Sequence, residues 1–409
     1  MAASRTREVT VADVERARLA GRDLVRHTPV LSSTTLSEEY GGDVVLKAES
    51  LQRTGAFKLR GALAKLAALG DACGAGVAAG SAGNHAQALA YAARARGVPC
   101  EVYMPTDASI AKAEGAAALG ATVRLVGSSV EECMEAARER AREAGLAFVH
   151  PFDDPDVIAG QGTIGLELLE DVPDLAKVLV PLGGGGLASG TAIAVKSARP
   201  EVEVVGVQVE AFAPFPESLR RGEPVTVESA LTIADGIAVK RPGELTLALI
   251  AEWVDDVVTV GEDDVAEAMV LLLEKAKLVV EGAGAVGVAA LMAGRVTPAS
   301  TGATVLILSG GNVDAGLLAM VARRHETEAG RRLVLLTRLP DRPGSMARLL
   351  ACVGDTGANL LDVQHVREAL DLHVRETAVQ LVLETRGPEH AAQVLKAVAD
   401  AGYETRVLQ

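Results

Sequence analysis

From about residue 44 onwards the sequence alternates short apolar runs with longer, alanine-rich stretches. The apolar runs predict strands at Val44–Leu46, Gly76–Ala79, Cys100–Met104, Thr122–Val126, Lys177–Pro181, Val202–Val209, Val254–Val260 and Thr304–Leu308. The longer stretches predict helices, among them Asn84–Arg96, Ser109–Leu119, Ser129–Ala144 and Glu262–Lys277. Strands that alternate with helices are joined by crossover connections, so the pattern predicts an α/β protein with a mostly parallel sheet.

Composition excludes several classes of protein. A net charge of -14 and an aromatic content of 2% disfavour a nucleic-acid partner, which requires clustered cations or stacking rings. The four cysteines form no CxxC pair and the N-terminus has no uninterrupted apolar core, so we expect a cytoplasmic protein. The uncharged stretch Val178–Val195 contains Pro181 and four consecutive glycines, which predict a buried strand, a loop and a helix start. We therefore expect no membrane contact.

The chain changes character near Arg323, where the polar, charged residues 324–331 predict a linker. The residues that follow, 332–409, predict four strands and two helices in the order βαββαβ. The strands are predicted at Leu333–Arg338, Asn359–Arg367, Thr377–Leu383 and Tyr403–Leu408, and the helices at Gly344–Val353 and Pro388–Ala399. This order predicts a ferredoxin-like unit.

Two motifs in the first half of the chain favour chemistry. Lys58 lies among apolar neighbours and glycines in the segment Leu51–Gly61, where a lysine loses its proton more readily and can bond to a carbonyl cofactor. A surface lysine after a turn is the alternative. A short loop between a predicted strand and a helix offers unpaired amides to a carboxylate or phosphate. Its residues are Ser81, Ala82, Gly83, Asn84 and His85. Ordinary capping of the helix by Ser81 or Asn84 is the alternative there.

Two further motifs follow predicted strands in the second half. One consists of Gly183, Gly184, Gly185 and Gly186 with Leu187, and its backbone can wrap closely around a phosphate because no side chain intervenes. A flexible turn is the alternative. The other is Leu308–Asn312, in which Ser309 follows the last strand of the large region and can hydrogen-bond a heteroaromatic nitrogen. Ligands bind at such strand ends in open α/β sheets.

In this order, the four motifs together resemble those of the fold-type II pyridoxal-phosphate enzymes. The resemblance is closest to the threonine ammonia-lyase (threonine dehydratase) family and covers residues 5–323. It implies a tryptophan synthase β-like catalytic region at residues 1–323, with a small subdomain at about residues 45–145 inserted in a larger one. Both subdomains are expected to be open α/β structures.

The resemblance also implies a role for each site residue. Lys58 forms the Schiff base with pyridoxal 5'-phosphate, Phe57 lies beside this cofactor, and Asn84 contacts its phenolic oxygen. Ser309 meets the pyridine nitrogen. The phosphate is held by Gly183, Gly184, Gly185, Gly186 and Leu187, and the substrate carboxylate by the loop of Ser81, Ala82, Gly83, Asn84 and His85.

Residues 332–409 resemble an ACT domain, a module that senses small molecules. Asp341–Gly344 is the typical loop before its first helix, and Asp341, Gly344 and Asn359 are the effector-binding candidates. The expected effector is isoleucine or valine, and pairing of two copies is expected to assemble a dimer or a tetramer. A module that only joins subunits is the alternative.

The resemblance implies that the enzyme converts L-threonine, and also L-serine, to 2-oxobutanoate or pyruvate with release of ammonia, as the first step towards isoleucine. Serine dehydratase, serine racemase and hydroxyaspartate dehydratase are alternatives with the same fold, and a catalytically silent amino-acid sensor is one of another class. Ala82 replaces the second serine of the related racemases. Glu210 lacks the aspartate six residues on that completes a divalent-cation site in some relatives, so no metal is expected.

Overall fold

The computed structural model describes residues 8–228, 230–367 and 372–408. The chain divides into two compact units, Met1–Asp314 and Ala315–Gln409. The first seven residues of the expected catalytic region lie outside the described residues. No helix among the described residues is both long and apolar enough to cross a membrane.

The first unit alternates helices and strands, as the sequence predicts. Its strands are β1 (Val30–Ser32), β2 (Asp43–Ala48), β3 (Val77–Gly80), β4 (Cys100–Met104), β5 (Thr122–Leu125), β6 (Ala147–Phe148), β7 (Leu175–Pro181), β8 (Glu203–Val209), β9 (Asp256–Val260) and β10 (Ala303–Leu308). Its helices are α1 (Val11–Gly21), α2 (Thr34–Tyr40), α3 (Lys58–Leu69), α4 (Asn84–Arg96), α5 (Ile110–Ala118), α6 (Val130–Ala144), α7 (Pro155–Asp171), α8 (Gly186–Ala198), α9 (Pro214–Arg221), α10 (Glu244–Trp253), α11 (Glu262–Leu271) and α12 (Gly282–Met292).

The larger sheet of this unit has the described strand order β1-β2-β10-β7-β8-β9. Only β1 runs antiparallel to its neighbour, and the other pairs are parallel. Its centre consists of continuous apolar runs, since β10 and the valine-rich β7 and β8 are buried almost throughout. A parallel sheet covered on both faces requires such strands. The prediction of a mostly parallel α/β fold is therefore confirmed.

The smaller sheet has the order β5-β4-β3-β6 and is parallel in its described pairs. Helices α3 and α4 contribute leucines and alanines to its core, together with Val77 and Val102. Because β2 pairs with β10, the segment around residue 45 belongs to the larger sheet, and the smaller one begins at Val77.

One predicted helix differs from the structure. The sequence predicts a continuous helix at Glu262–Lys277, whereas α11 ends at Leu271 and a π-helical turn follows at Leu272–Ala276. Lys277 then adopts a left-handed backbone conformation with φ 60°, which is uncommon for a residue with a side chain. The turn ends at Ala276, five residues before Glu281.

The second unit contains helix α13 (Ala315–Glu328) and then β11 (Arg332–Pro340), α14 (Ser345–Asp355), β12 (Asn359–Val366), β13 (Glu376–Glu384), α15 (Pro388–Asp400) and β14 (Thr405–Leu408). The antiparallel sheet has the order β12-β13-β11-β14, which is that of a ferredoxin-like βαββαβ unit. The segment 324–331, expected as a linker, begins inside α13. An i,i+4 ion pair between Arg324 and Glu328 at 2.8 Å supports the helix there.

Candidate active site

A run of four glycines joins the end of β7 to the start of α8. A Cβ at Gly184 would lie 2.3 Å from the Phe152 ring, and one at Gly183 would lie 2.9 Å from Ile237 Cα. Gly185 has φ +97°, which side chains rarely allow. The amides from Gly183 to Leu187 have no backbone acceptor among the described residues. The run therefore forms a cradle of free N–H groups at a helix N-terminus, as an anion requires.

Lys58 is the first residue of α3, and its ammonium has one hydrogen-bond partner. Nζ donates to the backbone oxygen of Pro151 at 2.8 Å and lies 5.2 Å from the centre of the Phe57 ring. In the described part of the chain, Lys58 forms no ion pair. Lys47, by contrast, is fully buried and paired with Glu167 at 2.7 Å. Lys58 is thus a partly buried amine that is free to react.

An ion-pair cluster holds the start of α3 in place. Arg60, in the first turn of the helix, is buried and pairs with Glu49 and Glu167, each at 2.7 Å. Burial by itself would lower the pKa of Arg60, but the two carboxylates hold this pKa above its usual range. Removing one member of such a buried cluster would leave an uncompensated charge. The cluster therefore fixes the helix turn that carries Lys58.

The segment from Ser81 to His85 leads into α4, which begins at Asn84, and it meets the end of β10. The Asn84 amide donates from Nδ2 to Glu281 Oε1 at 2.7 Å, and its Oδ1 accepts from Asn312 Nδ2 at 2.8 Å. The backbone N–H groups of Ala82, Asn84 and His85 have no hydrogen-bond acceptor among the described residues. These free N–H groups suit the carboxylate of a substrate.

Ser309 follows β10 directly and is buried. Its backbone oxygen accepts from Phe57 N at 3.0 Å, which places it beside the residue before Lys58. Its hydroxyl makes no hydrogen bond to another described residue. The next residue, Gly310, forms a β-bridge with Ala56 and so joins the strand end to the Lys58 segment.

The segment from Val149 to Asp153 connects these parts, and the sequence analysis did not identify it. The Val149 oxygen lies 3.1 Å from His85 Nε2, and the Pro151 oxygen accepts from Lys58. The Phe152 ring packs against the glycine cradle. Asp153 Oδ1 accepts from Thr246 N at 3.0 Å, within the first turn of α10. The sequence offered only the run His-Pro-Phe-Asp-Asp as a signal, because the preceding strand β6 is too short to predict.

Burial sets the charge of several groups in the site. It lowers the pKa of Lys58 to about 8, although the negative charge of Glu281 opposes this change. It also lowers the pKa values of His85 and His150 to about 3, with smaller contributions from neighbouring positive charges, including that of Lys58. Both imidazoles are therefore neutral at physiological pH. Lys58 carries the reactive amine, and the two histidines keep the segments around it in place.

The structure brings together all the residues expected around Lys58 in the first unit. It also adds Glu281, a buried glutamate whose only sequence signal was its place between an apolar run and Gly-Ala-Gly. Within the described residues, no group of three or more His, Cys, Asp or Glu side chains could hold a metal ion. Glu210 instead lies 3.5 Å from Arg295 Nη2.

The structure does not bring the effector candidates of the second unit together. Asp341 follows β11 and pairs with Arg367 at 3.0 Å, at the end of β12. Asn359 begins β12 and donates to Glu384 at 3.0 Å. Asn359 and Asp341 thus lie at opposite ends of a strand of eight residues, about 26 Å apart at 3.3 Å per residue. Gly344 lies in the same loop as Asp341, with φ +83°.

Comparisons with known proteins agree with this geometry. Residues 22–311 match the family model "Pyridoxal-phosphate dependent enzyme". An L-threonine ammonia-lyase of Thermotoga maritima is 43% identical over 98% of this chain and 100% of its own length. The crystal structure of a T.th. threonine deaminase is 42% identical and has a TM-score of 0.70, over 75% of this chain and 99% of that one. A maize serine racemase is 34% identical with a TM-score of 0.73, over 78% of this chain and 98% of that one.

Proposed function

We propose a reaction for this chain from one premise, namely that it belongs to the pyridoxal-phosphate dependent enzyme family. The chain is a lyase that eliminates water from L-threonine, and hydrolysis of the resulting imine takes up one water and releases 2-oxobutanoate and ammonia. L-serine, which lacks one methyl group, gives pyruvate in the same way. The similarity to an L-threonine ammonia-lyase over 98% of the chain supports this reaction.

The residues of the site fit the cofactor. The amides from Gly183 to Leu187 would hold its phosphate, because they are free and a Cβ at any of the four glycines would lie within 3.0 Å of a neighbouring atom. The unpaired Ser309 hydroxyl would meet the pyridine nitrogen, and Asn84 the ring oxygen. Phe57 lies next to the amine of Lys58. When bound, pyridoxal phosphate delocalises the negative charge that develops at the substrate Cα.

The observation that carries the proposal is the state of the Lys58 amine. It is partly buried and forms no ion pair with another described residue, and its pKa is lowered to about 8. A sizeable fraction is therefore neutral near physiological pH, as bonding to the cofactor aldehyde requires. Once the substrate amine takes its place, Lys58 accepts the proton from Cα. A catalytically silent sensor would have no use for such an amine.

The loop from Ser81 to His85 orients the substrate through its carboxylate. Its free amides bind that group and leave Cα facing Lys58. A racemase needs a second acid–base group on the opposite face, and Ala82 offers no hydroxyl there. Glu281 and Asp235 place negative charge near the reacting groups, which disfavours a substrate with a second carboxylate, such as hydroxyaspartate.

A keto-acid assay on the purified protein tests this proposal. L-threonine, L-serine and hydroxyaspartate are compared side by side, with ammonia and the D-amino acid measured in each reaction. We expect 2-oxobutanoate and ammonia in equal amounts from threonine, pyruvate from serine, and the lowest rate with hydroxyaspartate. Formation of D-serine without keto acid would assign the chain to the racemases.

For the second unit, we propose an ACT-type regulatory domain at residues 332–409, after a connection at 324–331. Isoleucine or valine is the expected effector, since 2-oxobutanoate leads towards isoleucine in a cytoplasmic pathway. Asp341 and Asn359 lie at opposite ends of β12, so one pocket can include both only if two copies pair about a twofold axis. A homodimer, or a tetramer built from it, supplies such pairing.

The threonine saturation curve of the full-length enzyme tests regulation. An effector that favours one state typically changes affinity by about 1–3 kcal/mol, or roughly 5- to 150-fold. We expect millimolar isoleucine or valine to shift the curve, and a chain ending at Asp314 to lose the response while keeping activity. Identical curves with and without both amino acids would leave subunit assembly as the role of the unit.

A further inference from the structure

Glu281 occupies the N-cap position of α12 but does not cap this helix. Its side chain makes no capping hydrogen bond, and Oε1 instead accepts from Asn84 Nδ2 at 2.7 Å. Its backbone N–H donates to the oxygen of Gly310 at 3.0 Å, which anchors the residue to the end of β10. The carboxyl group is therefore directed into the site rather than towards its own helix.

A glycine leaves the space that this carboxyl group occupies, since a Cβ at Gly310 would lie 2.1 Å from Glu281 Oε1. Oε2 makes no hydrogen bond to another described residue. Burying a carboxyl group without an ion-pair partner costs free energy. A glutamate enclosed in this way indicates a role in the site rather than in folding.

The hydrogen bonds of Asn84 show what the role is. Its Oδ1 accepts a hydrogen bond from Asn312 Nδ2, which also donates to the backbone oxygen of Thr54 at 2.8 Å. The backbone of Thr54 therefore holds Asn312, and Asn312 fixes the acceptor end of the Asn84 amide. Its donor end gives one N–H to Glu281. The second N–H of Nδ2 remains available, and its direction depends on the bond to Glu281.

We propose that Glu281 is a positioning residue that orients the Asn84 amide towards the ring oxygen of the cofactor and sets the charge beside Lys58. The inference rests on the cofactor assignment in the proposed function and is independent of the substrate. The Gln side chain in Glu281→Gln keeps an acceptor oxygen for Asn84 but has no charge. Orientation and charge can therefore be tested separately.

The charged groups that face Glu281 come from three other elements. Asp235 lies in the short turn Asp235–Ile237, Lys112 on α5 and Lys58 on α3, and the ammonium of Lys112 pairs with Asp235. Burial raises the pKa of Glu281 to about 7 and Asp235 adds to this, while the Asn84 hydrogen bond and both lysines oppose it. The carboxyl group therefore loses its proton near neutral pH and then stabilises the positive charge of Lys58.

The test is a pH titration of the visible absorbance of the bound cofactor, without substrate. In the parent holoenzyme we expect a transition with a midpoint near pH 7, which follows Glu281. Glu281→Gln should abolish this transition while changing cofactor affinity little. Asn312→Ala should keep the transition but weaken cofactor binding by roughly three- to tenfold, since it removes one hydrogen bond that orients Asn84.

A matched control is Glu203→Gln, which removes a glutamate paired with Lys177 at 3.0 Å at the start of β8. It should leave both the transition and the cofactor affinity unchanged. A transition near pH 7 that persists in Glu281→Gln would overturn the proposal, and so would unchanged cofactor affinity in Asn312→Ala. Neither readout uses threonine, so a failure of threonine turnover would count against the proposed function and leave these results standing.

Discussion

Replacing Gly184 by alanine tests the glycine cradle with the smallest possible change. The added methyl group would lie 2.3 Å from Phe152 Cγ, so the ring must move about 1 Å to reach an ordinary contact distance. The backbone that carries the ring has little freedom, because the Phe152 N–H donates to His150 Nδ1 at 3.3 Å and the Phe152 backbone oxygen lies against Gly186. Overpacking of this kind costs about 1–3 kcal/mol.

This cost should appear mainly in cofactor binding. The empty cradle can relax by opening, whereas a bound phosphate requires the closed backbone. We therefore expect the cofactor dissociation constant of Gly184→Ala to rise about 5- to 150-fold, measured by equilibrium dialysis. Gly316→Ala adds the same methyl group in open space on α13 and serves as the control. A dissociation constant within about twofold of the parent would show that the glycines do not hold the phosphate.

Three further outcomes are expected. Lys58→Ala should lose both the absorbance of the covalently bound cofactor and all ammonia release. The control variant Lys196→Ala, which removes a surface ion pair with Asp255, should keep both. A fully active Lys58→Ala would assign the chemistry to another lysine. The rate at which the parent apoenzyme binds the cofactor covalently should rise with pH and level off above about pH 8, because only the neutral Lys58 amine reacts. A rate that does not change with pH, measured by stopped-flow absorbance, would contradict the lowered pKa of Lys58. Ser309→Asp should slow elimination relative to exchange of the Cα proton with solvent, because an aspartate keeps the pyridine nitrogen protonated, and an unchanged ratio by NMR would place Ser309 away from the ring.

The sequence predicts the parallel sheets well because each strand is a compact apolar run. The bounds predicted for β4 and α4 are those of the structure. Strands β1 and β6 could not be predicted, since they have only three and two residues and show no alternation. These strands are stabilised by pairing with longer strands, and the local sequence pattern contains no information about such pairing.

Local motifs likewise indicate Lys58 and the glycine cradle, because their chemistry depends on neighbours in the sequence. Glu281 and the segment from Val149 to Asp153 depend on distant partners. Glu281 meets Asn84 across 197 positions, and the Pro151 oxygen meets Lys58 across 93. Only the three-dimensional arrangement shows that these residues belong to the site. In the second unit, the order of elements was predictable, but the separation of Asp341 from Asn359 followed only from the strand register.

The pairing of β2 with β10 has a consequence for synthesis on the ribosome. Ala48 and Ala303 are 255 positions apart, yet their strands are neighbours at the centre of the larger sheet. At a synthesis rate of roughly 5–20 residues per second, about 13–50 s pass between the synthesis of β2 and that of its partner strand β10. During this time the apolar strand and the adjoining Lys58 segment lack their native cover. Such high contact order slows folding, so the nascent chain exposes apolar surface that favours aggregation until Asn312 has left the exit tunnel.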